Sequence, residues 1–104
     1  MTATVKVYLN TNERESFLRG YVPGDPLRLA ATWTTPQHNP GEELNRASRE
    51  LNIDEPTTDW ARQYRADRNR SLSVGDVVVF GETAWACEKV GWTQIGMSDA
   101  VILA

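Results

Sequence analysis

The chain predicts an α+β fold, a mostly antiparallel sheet of four to five strands with one main helix and one short helix packed on one face. Three observations carry that reading. Two N-terminal stretches alternate apolar and polar residues, Leu44 to Leu51 repeats at helical spacing, and Val77 to Cys87 has the form of a tight hairpin. With 104 residues, 40% of them hydrophobic and four of them Trp, the chain is long and apolar enough for one packed domain spanning 1–104.

In chain order, Thr4–Leu9 places Val5, Val7 and Leu9 on one face and Lys6 and Tyr8 on the other, a half-buried strand. Asn10–Asn12 breaks it. Glu13–Arg19 fits a short helix opened by Asn12, with Glu15 at the third position and Gly20 closing it, although only Phe17 and Leu18 are apolar there. Tyr21–Pro26 is dense in turn formers, and Pro23-Gly24 suits a type II turn. Leu27–Thr34 is a second strand, antiparallel to the first, with Leu27, Leu29, Ala31 and Trp33 predicted on one face.

Pro36–Pro40 is a loop leading into the main helix. Asn39 can cap it, Pro40 takes the first helical position and Glu42 the third. Leu44, Ala47, Ser48 and Leu51 form its buried stripe, Glu42–Arg46 and Arg46–Glu50 pair on its exposed side, and Asn52 ends it in the left-handed conformation. After the loop Ile53–Thr58, Asp59 can cap the short helix Trp60–Ala66, with Trp60 and Tyr64 stacked one turn apart.

The hairpin is the most strongly patterned stretch. Ser73–Asp76 turns into the β-branched run Val77–Phe80, and Gly81-Glu82 suits a two-residue type II′ turn into Thr83–Cys87. That turn pairs Phe80 with Thr83, Val79 with Ala84, Val78 with Trp85 and Val77 with Ala86. One face carries Val78, Phe80, Trp85 and Cys87; the other carries Val77, Val79, Ala84 and Ala86. Both are apolar, so both are predicted to be covered. Trp92–Ile95 reads as another strand and Met97-Ser98-Asp99 as a turn. Ala100–Ala104 is apolar throughout and is predicted to dock as an edge strand or to be shared across a homodimer.

The run Tyr64-Arg65, Asn69-Arg70-Ser71-Leu72-Ser73-Val74-Gly75-Asp76-Val77-Val78, Trp85-Ala86-Cys87 and Gly91-Trp92 resembles small uncharacterised proteins of actinobacterial plasmids, phages and integrated elements. It is also similar to the YodL-like domain of mobile-element proteins. The resemblance spans Arg62 to Ile95. The chain departs from the pattern at Gly81-Glu82, where Asp-Gly is usual, and at Ala84, where a larger aromatic is common. The resemblance implies a mobile-element context and no established catalysis.

Composition narrows the function classes. A net charge of −3 gives no overall attraction for nucleic acid. A single cysteine excludes an internal disulfide and a cysteine-based metal cluster. No apolar run approaches the ~20 residues of a membrane span, which predicts a cytoplasmic protein with no membrane partner.

Candidate site residues are few. Cys87 sits mid-strand and reads as a buried structural thiol. His38, the lone histidine, reads as an exposed loop residue. Asp76 and Glu82 read as turn residues, and Glu42-Glu43 as a first helical turn favoured by the helix dipole. Trp33 and Trp85 take core positions, which leaves Trp60 and Trp92 at element edges for recognition. The segment Trp60–Arg70 gathers Arg62, Arg65, Arg68 and Arg70 beside Trp60 and Tyr64, residue types enriched at interaction sites. The four arginines read two ways: as a site for bidentate capture of phosphate or carboxylate, or as a solvated face offset by Asp59 and Asp67. The expectation is a cofactor-free, non-enzymatic accessory or regulatory protein of a mobile element, monomer or homodimer, that binds a protein partner. The alternative is a small nucleic-acid-binding domain using the Arg cluster beside aromatic residues.

Overall fold

The computed structural model describes residues 2–97 and 100–103. Nine elements follow in order: β1 (Ala3–Asn10), α1 (Glu13–Arg19), β2 (Pro26–Thr35), α2 (Pro40–Asn52), α3 (Asp59–Ala66), β3 (Val77–Phe80), β4 (Thr83–Cys87), β5 (Trp92–Ile95) and β6 (Val101–Leu103). The fold is α+β. The sheet has six strands in the order β5-β4-β3-β1-β2-β6, all pairs antiparallel except β2–β6, which is parallel. This corrects the expectation of four to five strands and two helices in two ways. The apolar tail does dock as an edge strand, and the Glu13–Arg19 stretch does form a helix.

The sheet must curl. Laid flat, its two edge strands would stand about 24 Å apart, five spacings of ~4.8 Å. The chain from Ile95 to Val101 reaches about 21 Å when fully extended. Ile95, Met97 and Ala100 pack instead against the buried Leu27, Val77, Ala84 and Ala86, which closes the second face of the sheet.

The hairpin has the register that its turn dictates: Val77 opposite Ala86, Val78 opposite Trp85, Val79 opposite Ala84 and Phe80 opposite Thr83. Gly81 at φ 60 supplies the left-handed first turn position. Both faces are covered, since Val77, Val78, Ala84 and Ala86 are all buried.

Strand β2 departs from simple alternation. Val7 faces Ala31 but Tyr8 faces Leu29, so Ala30 is an extra residue and the register shifts there. The bulge puts Trp33 in the core with Val5 and Val7, sends Leu27 to the core on the other face, and leaves Leu29 44% exposed. The four residues predicted on one face are therefore divided.

Helix α2 is capped as predicted, Asn39 accepting from the Glu42 N–H, and it buries Leu44, Ala47 and Leu51. Two of its acidic residues depart from the sequence reading. Glu43 is 2% exposed, accepts a hydrogen bond from Trp33 Nε1 at 2.8 Å and pairs with Arg46 at 3.2 Å. Glu50 is 1% exposed and accepts from the Thr57 and Thr58 N–H groups and the Thr57 hydroxyl. Arg46 is thus paired three residues back, in place of the predicted pairs with Glu42 and Glu50. Ile53, in extended conformation, ends the helix instead of a left-handed Asn52.

Thr58, not Asp59, caps α3 by accepting from the Ala61 N–H. Trp60 stacks on Trp33 rather than on Tyr64, with ring centroids 3.6 Å apart and planes within 6°. Trp33, Trp60, Glu43 and Arg46 thereby tie α2 and α3 to β2. The turn expected at Met97-Ser98-Asp99 falls on residues 98 and 99, outside the described residues.

Candidate interaction surface

The end of β1 organises a buried polar network that the sequence reading treats as turn residues. Asn10 and Asp76 are each 0% exposed. The Asp76 carboxylate accepts from Asn10 N at 2.8 Å, Ser73 N at 2.8 Å and both terminal nitrogens of Arg70 at 2.7 Å. Asn10 Nδ2 donates to Asp25 Oδ2 at 3.0 Å and to Gly75 O at 3.1 Å. Asp25 in turn holds Arg19 through two hydrogen bonds of 3.0 and 2.9 Å. The Arg19 guanidinium first, with Asn10 and the Val22 N–H, keeps the Asp25 carboxyl well below the usual carboxylate range against the opposing effect of burial. The Asp76 hydrogen bonds raise Arg70 further above its already high value.

This network fixes α1. Asn10 Oδ1 accepts from the Asn12 N–H, Arg19 is held by Asp25, and Glu13 pairs with Arg70 at 2.7 Å. Ser16 is buried against Gly75, whose φ is +93; a Cβ on Gly75 would overlap Ser16, lying 2.7 Å from its Oγ. The helix is therefore held by polar ties and one close backbone approach. Its apolar residues join neither core: Phe17 is 57% and Leu18 72% exposed.

The predicted segment 60–70 separates into core and surface. Tyr64 is 2% exposed, and its hydroxyl donates to the Arg70 carbonyl, so it is a core residue and not part of a recognition face. Burial first, then the Asp76 carboxylate, pushes Tyr64 up to about 12. Trp92 is half-buried and packs against the main core. Trp60 is half-buried, with Trp33 on one face and the Arg46 guanidinium over the ring at 5.6 Å. Arg62 is exposed and pairs with Asp59 at 3.1 Å, and Arg65 donates to the Ile53 carbonyl. Arg65 and Arg68 do not share a helical face, because α3 ends at Ala66.

Arg68 occupies an unusual position. Its N–H donates to the Arg65 carbonyl and the Asn69 N–H to the Tyr64 carbonyl, the two hydrogen bonds of a left-handed helix cap. Such a cap normally takes glycine, yet Arg68 stands there at φ 64, the only non-glycine residue in that region among the described residues. Among the described residues its guanidinium has no hydrogen-bond or ion-pair partner. It lines a recess of ≈ 390 Å³ with Arg28, Arg70, Glu13 and the end of β1. Arg28, absent from the sequence-derived candidates, reaches the same recess from β2 and is oriented by a 2.9 Å hydrogen bond to Asn69 Oδ1.

The recess has a neighbour. Glu13 and Arg70 also line a groove of ≈ 500 Å³ with Arg14, Phe17, Leu18 and Ser73. Leu18 continues into a hollow of ≈ 350 Å³ that includes Val74, Lys89 and Val90, the last 93% exposed. The Glu13–Arg70 ion pair is thus a ridge with a basic recess on one side and an apolar groove on the other. The sequence signal for the groove is the short helix whose only apolar residues are adjacent, Phe17 and Leu18, with no stripe to bury.

Other candidates stay apart from this surface. Cys87 is half-buried and held near the Glu88 carbonyl, and burial first pushes its thiol up to about 11. His38 and Glu82 are exposed. Among the described residues no group of three or more His, Cys, Asp or Glu could hold a metal ion, and no helix is long and apolar enough to cross a membrane. No family model matches the chain, and no curated protein or solved structure matches it either.

Proposed function

We propose that the chain is a small accessory interaction module that binds a protein partner through the surface on either side of the Glu13–Arg70 ridge. The observation that carries this reading is the outward display of Phe17 and Leu18 on a helix held by polar ties and one close backbone approach, directly beside a recess where Arg28 and Arg68 have no carboxylate partner among the described residues. An apolar anchor site flanked by Arg is the composition typical of protein–protein hot spots. The resemblance of the Tyr64–Trp92 residues to plasmid and phage proteins supports a mobile-element context; a cytoplasmic location and a role without catalysis are part of the same proposal.

The rival, a nucleic-acid-binding domain, draws on the exposed Arg62, Arg65 and Arg68. It is weakened by the chain's net charge of −3 and by Trp60, whose ring is already engaged by Trp33 and Arg46. To test the leading reading, proteins retained from the native host by the wild type are compared with those retained by a Phe17→Ser/Leu18→Ser double variant of equal melting temperature. Selective loss of one protein from the variant supports the reading. Retention of the same set by both would sink it, and binding to random-sequence DNA that falls steeply with salt would favour the rival.

A further inference from the structure

We propose that the recess between Arg28 and Arg68 is an anion subsite that takes a carboxylate side chain of an acidic peptide segment; this rests on the interaction reading above and names its chemistry. The ridge residue Arg70 is already satisfied: Asp76 holds it fork to fork, and Glu13 takes its Nε. Arg28 and Arg68 are the cations with donors to spare. Arg28 spends one nitrogen on neutral Asn69, and Arg68 spends none within the described residues.

The backbone makes the case for Arg68 independently of charge. A left-handed helix cap occupied by arginine is strained relative to glycine, and such strain persists at positions selected for something other than stability. What arginine adds at this position is a side chain, and Arg68 is one of the residues that line the recess. Asn69, the next residue, bonds both the Tyr64 carbonyl and Arg28, so the cap and the second guanidinium are set by one residue.

Charge balance selects the ligand. Three guanidiniums at the recess stand against two carboxylates, Glu13 and Asp76, which leaves one net positive charge. That matches a single carboxylate, which planar guanidinium groups bind in bidentate fashion. A phosphate backbone would bring repeated negative charge past Glu13 on the ridge, with no basic stripe to receive it. The adjoining groove of Phe17 and Leu18 then takes an apolar residue of the same segment.

The test follows the arginine Nε–Hε signals by NMR while poly-L-glutamate, a thymidine oligonucleotide or inorganic phosphate is added in parallel, at about 0.15 M salt. Poly-L-glutamate is expected to move the Arg68 and Arg28 signals saturably. Arg68→Gln and Arg28→Gln should each weaken it roughly fivefold or more, the loss of a charge-assisted hydrogen bond. Arg49→Gln, an exposed arginine of α2 outside the recess, should change it less than twofold. Absence of a saturable shift, or equal weakening by Arg49→Gln, would overturn the proposal. So would tighter binding of the oligonucleotide, which makes nucleic acid the occupant, or of phosphate, which makes the site a phosphoryl site. If poly-L-glutamate binds as expected while the Phe17/Leu18 variant keeps every host protein, the interaction reading fails and the anion subsite stands. If the host protein is lost with Phe17/Leu18 but poly-L-glutamate does not bind, only the subsite fails.

Discussion

Arg70 and Asp76 meet fork to fork, both terminal guanidinium nitrogens lying 2.7 Å from a carboxylate oxygen on a side chain that is 0% exposed. The pair closes the hairpin's entry turn onto the end of β1, because Asp76 also accepts from the Asn10 and Ser73 N–H groups. Removing Asp76 leaves the Arg70 guanidinium, 28% exposed, with Glu13 as its remaining carboxylate partner among the described residues and those donors unmatched, whereas removing Arg70 strands a fully buried carboxylate. Asp76→Ala is expected to cost about 3–5 kcal/mol in urea unfolding. Arg70→Lys keeps the charge but loses the fork, so it should cost clearly less than Arg70→Ala. Equal losses for Lys and Ala would mean that charge alone matters little here.

The Trp33–Trp60 stack should behave as a coupled pair. Trp33→Ala is expected to cost about 3–5 kcal/mol, the usual range for a buried Trp. A double-mutant cycle should give a coupling of about 0.5–1.5 kcal/mol between the rings, beyond the area that each buries. Additive losses would show that the two rings are neighbours without a specific interaction. Because Arg46 lies over Trp60 and pairs with Glu43, the cycle is best run with Arg46 intact.

Much of this architecture was legible in the residues themselves. The hairpin register followed from one two-residue Gly-Glu turn and two apolar faces, and a shift by one residue would have exchanged those faces. The α2 cap followed from Asn39-Pro40 and the third-position Glu42. The bulge was hidden because Ala30 is small and apolar, so adding it disturbs no visible pattern. Strand β6 was legible as an edge strand, but its parallel partner was not, since Val-Ile-Leu carries no register signal. The polar network was hidden for a different reason: Asn10, Asp25 and Asp76 are ordinary turn residues until the fold joins positions 66 residues apart. Of the expected site residues, Arg68 and Arg70 both line the recess, Arg70 with its guanidinium held by Asp76 and Glu13, while Tyr64 is buried. Arg28 could not have been found by local sequence, because the fold alone brings it across from β2.

Acid should weaken the fold below the ordinary carboxylate range. In the unfolded chain Asp25 takes up its proton near pH 3.9 and Glu50 near 4.3. In the folded chain Arg19 holds Asp25 well below that value. Burial opposes ionisation of Glu50, but the combined hydrogen bonds from Thr57 and Thr58 outweigh it and lower its value as well. The unfolded state therefore binds more protons on acidification, and stability present above about pH 5 is lost progressively as pH falls through and below 4. Asp25→Asn should be less stable at neutral pH and show a shallower loss on acidification. Parallel stability curves for the two proteins would remove Asp25 as a cause.

Alkali should act through Tyr64 and Cys87 with the opposite protonation sense. Burial lifts Cys87 to about 11 and Tyr64 to about 12, whereas the unfolded groups ionise near 8.5 and 10. Above those values the unfolded chain loses protons that the folded chain retains. Stability is thus full below about pH 8.5 and lost as pH rises toward 11 and 12. Cys87→Ala should delay the onset of that loss, and the native thiol should react with a soluble disulfide reagent far more slowly than the unfolded one. Similar native and unfolded rates would contradict the burial argument.

The last prediction separates structural from functional arginine by sign. Arg70→Gly should destabilise the protein, because it abandons Asp76. Arg68→Gly should stabilise it, by a net of about 0.5–1 kcal/mol, since glycine adopts the left-handed cap without the Cβ penalty although it loses more chain entropy on folding. Among the described residues the Arg68 guanidinium makes no hydrogen bond or ion pair that glycine would forfeit. The same substitution removes a recess cation that has no hydrogen-bond or ion-pair partner among the described residues, so it should weaken capture of an acidic partner while raising the melting temperature. An arginine that costs stability and gains binding marks a position held for recognition. If Arg68→Gly lowers the melting temperature, its side chain supports the fold, and the recess loses its strongest claim as a site. If it raises the melting temperature and leaves partner capture unchanged, the strained cap belongs to the fold's history rather than to binding, and Arg28 with the Phe17/Leu18 groove would be left to carry the interaction.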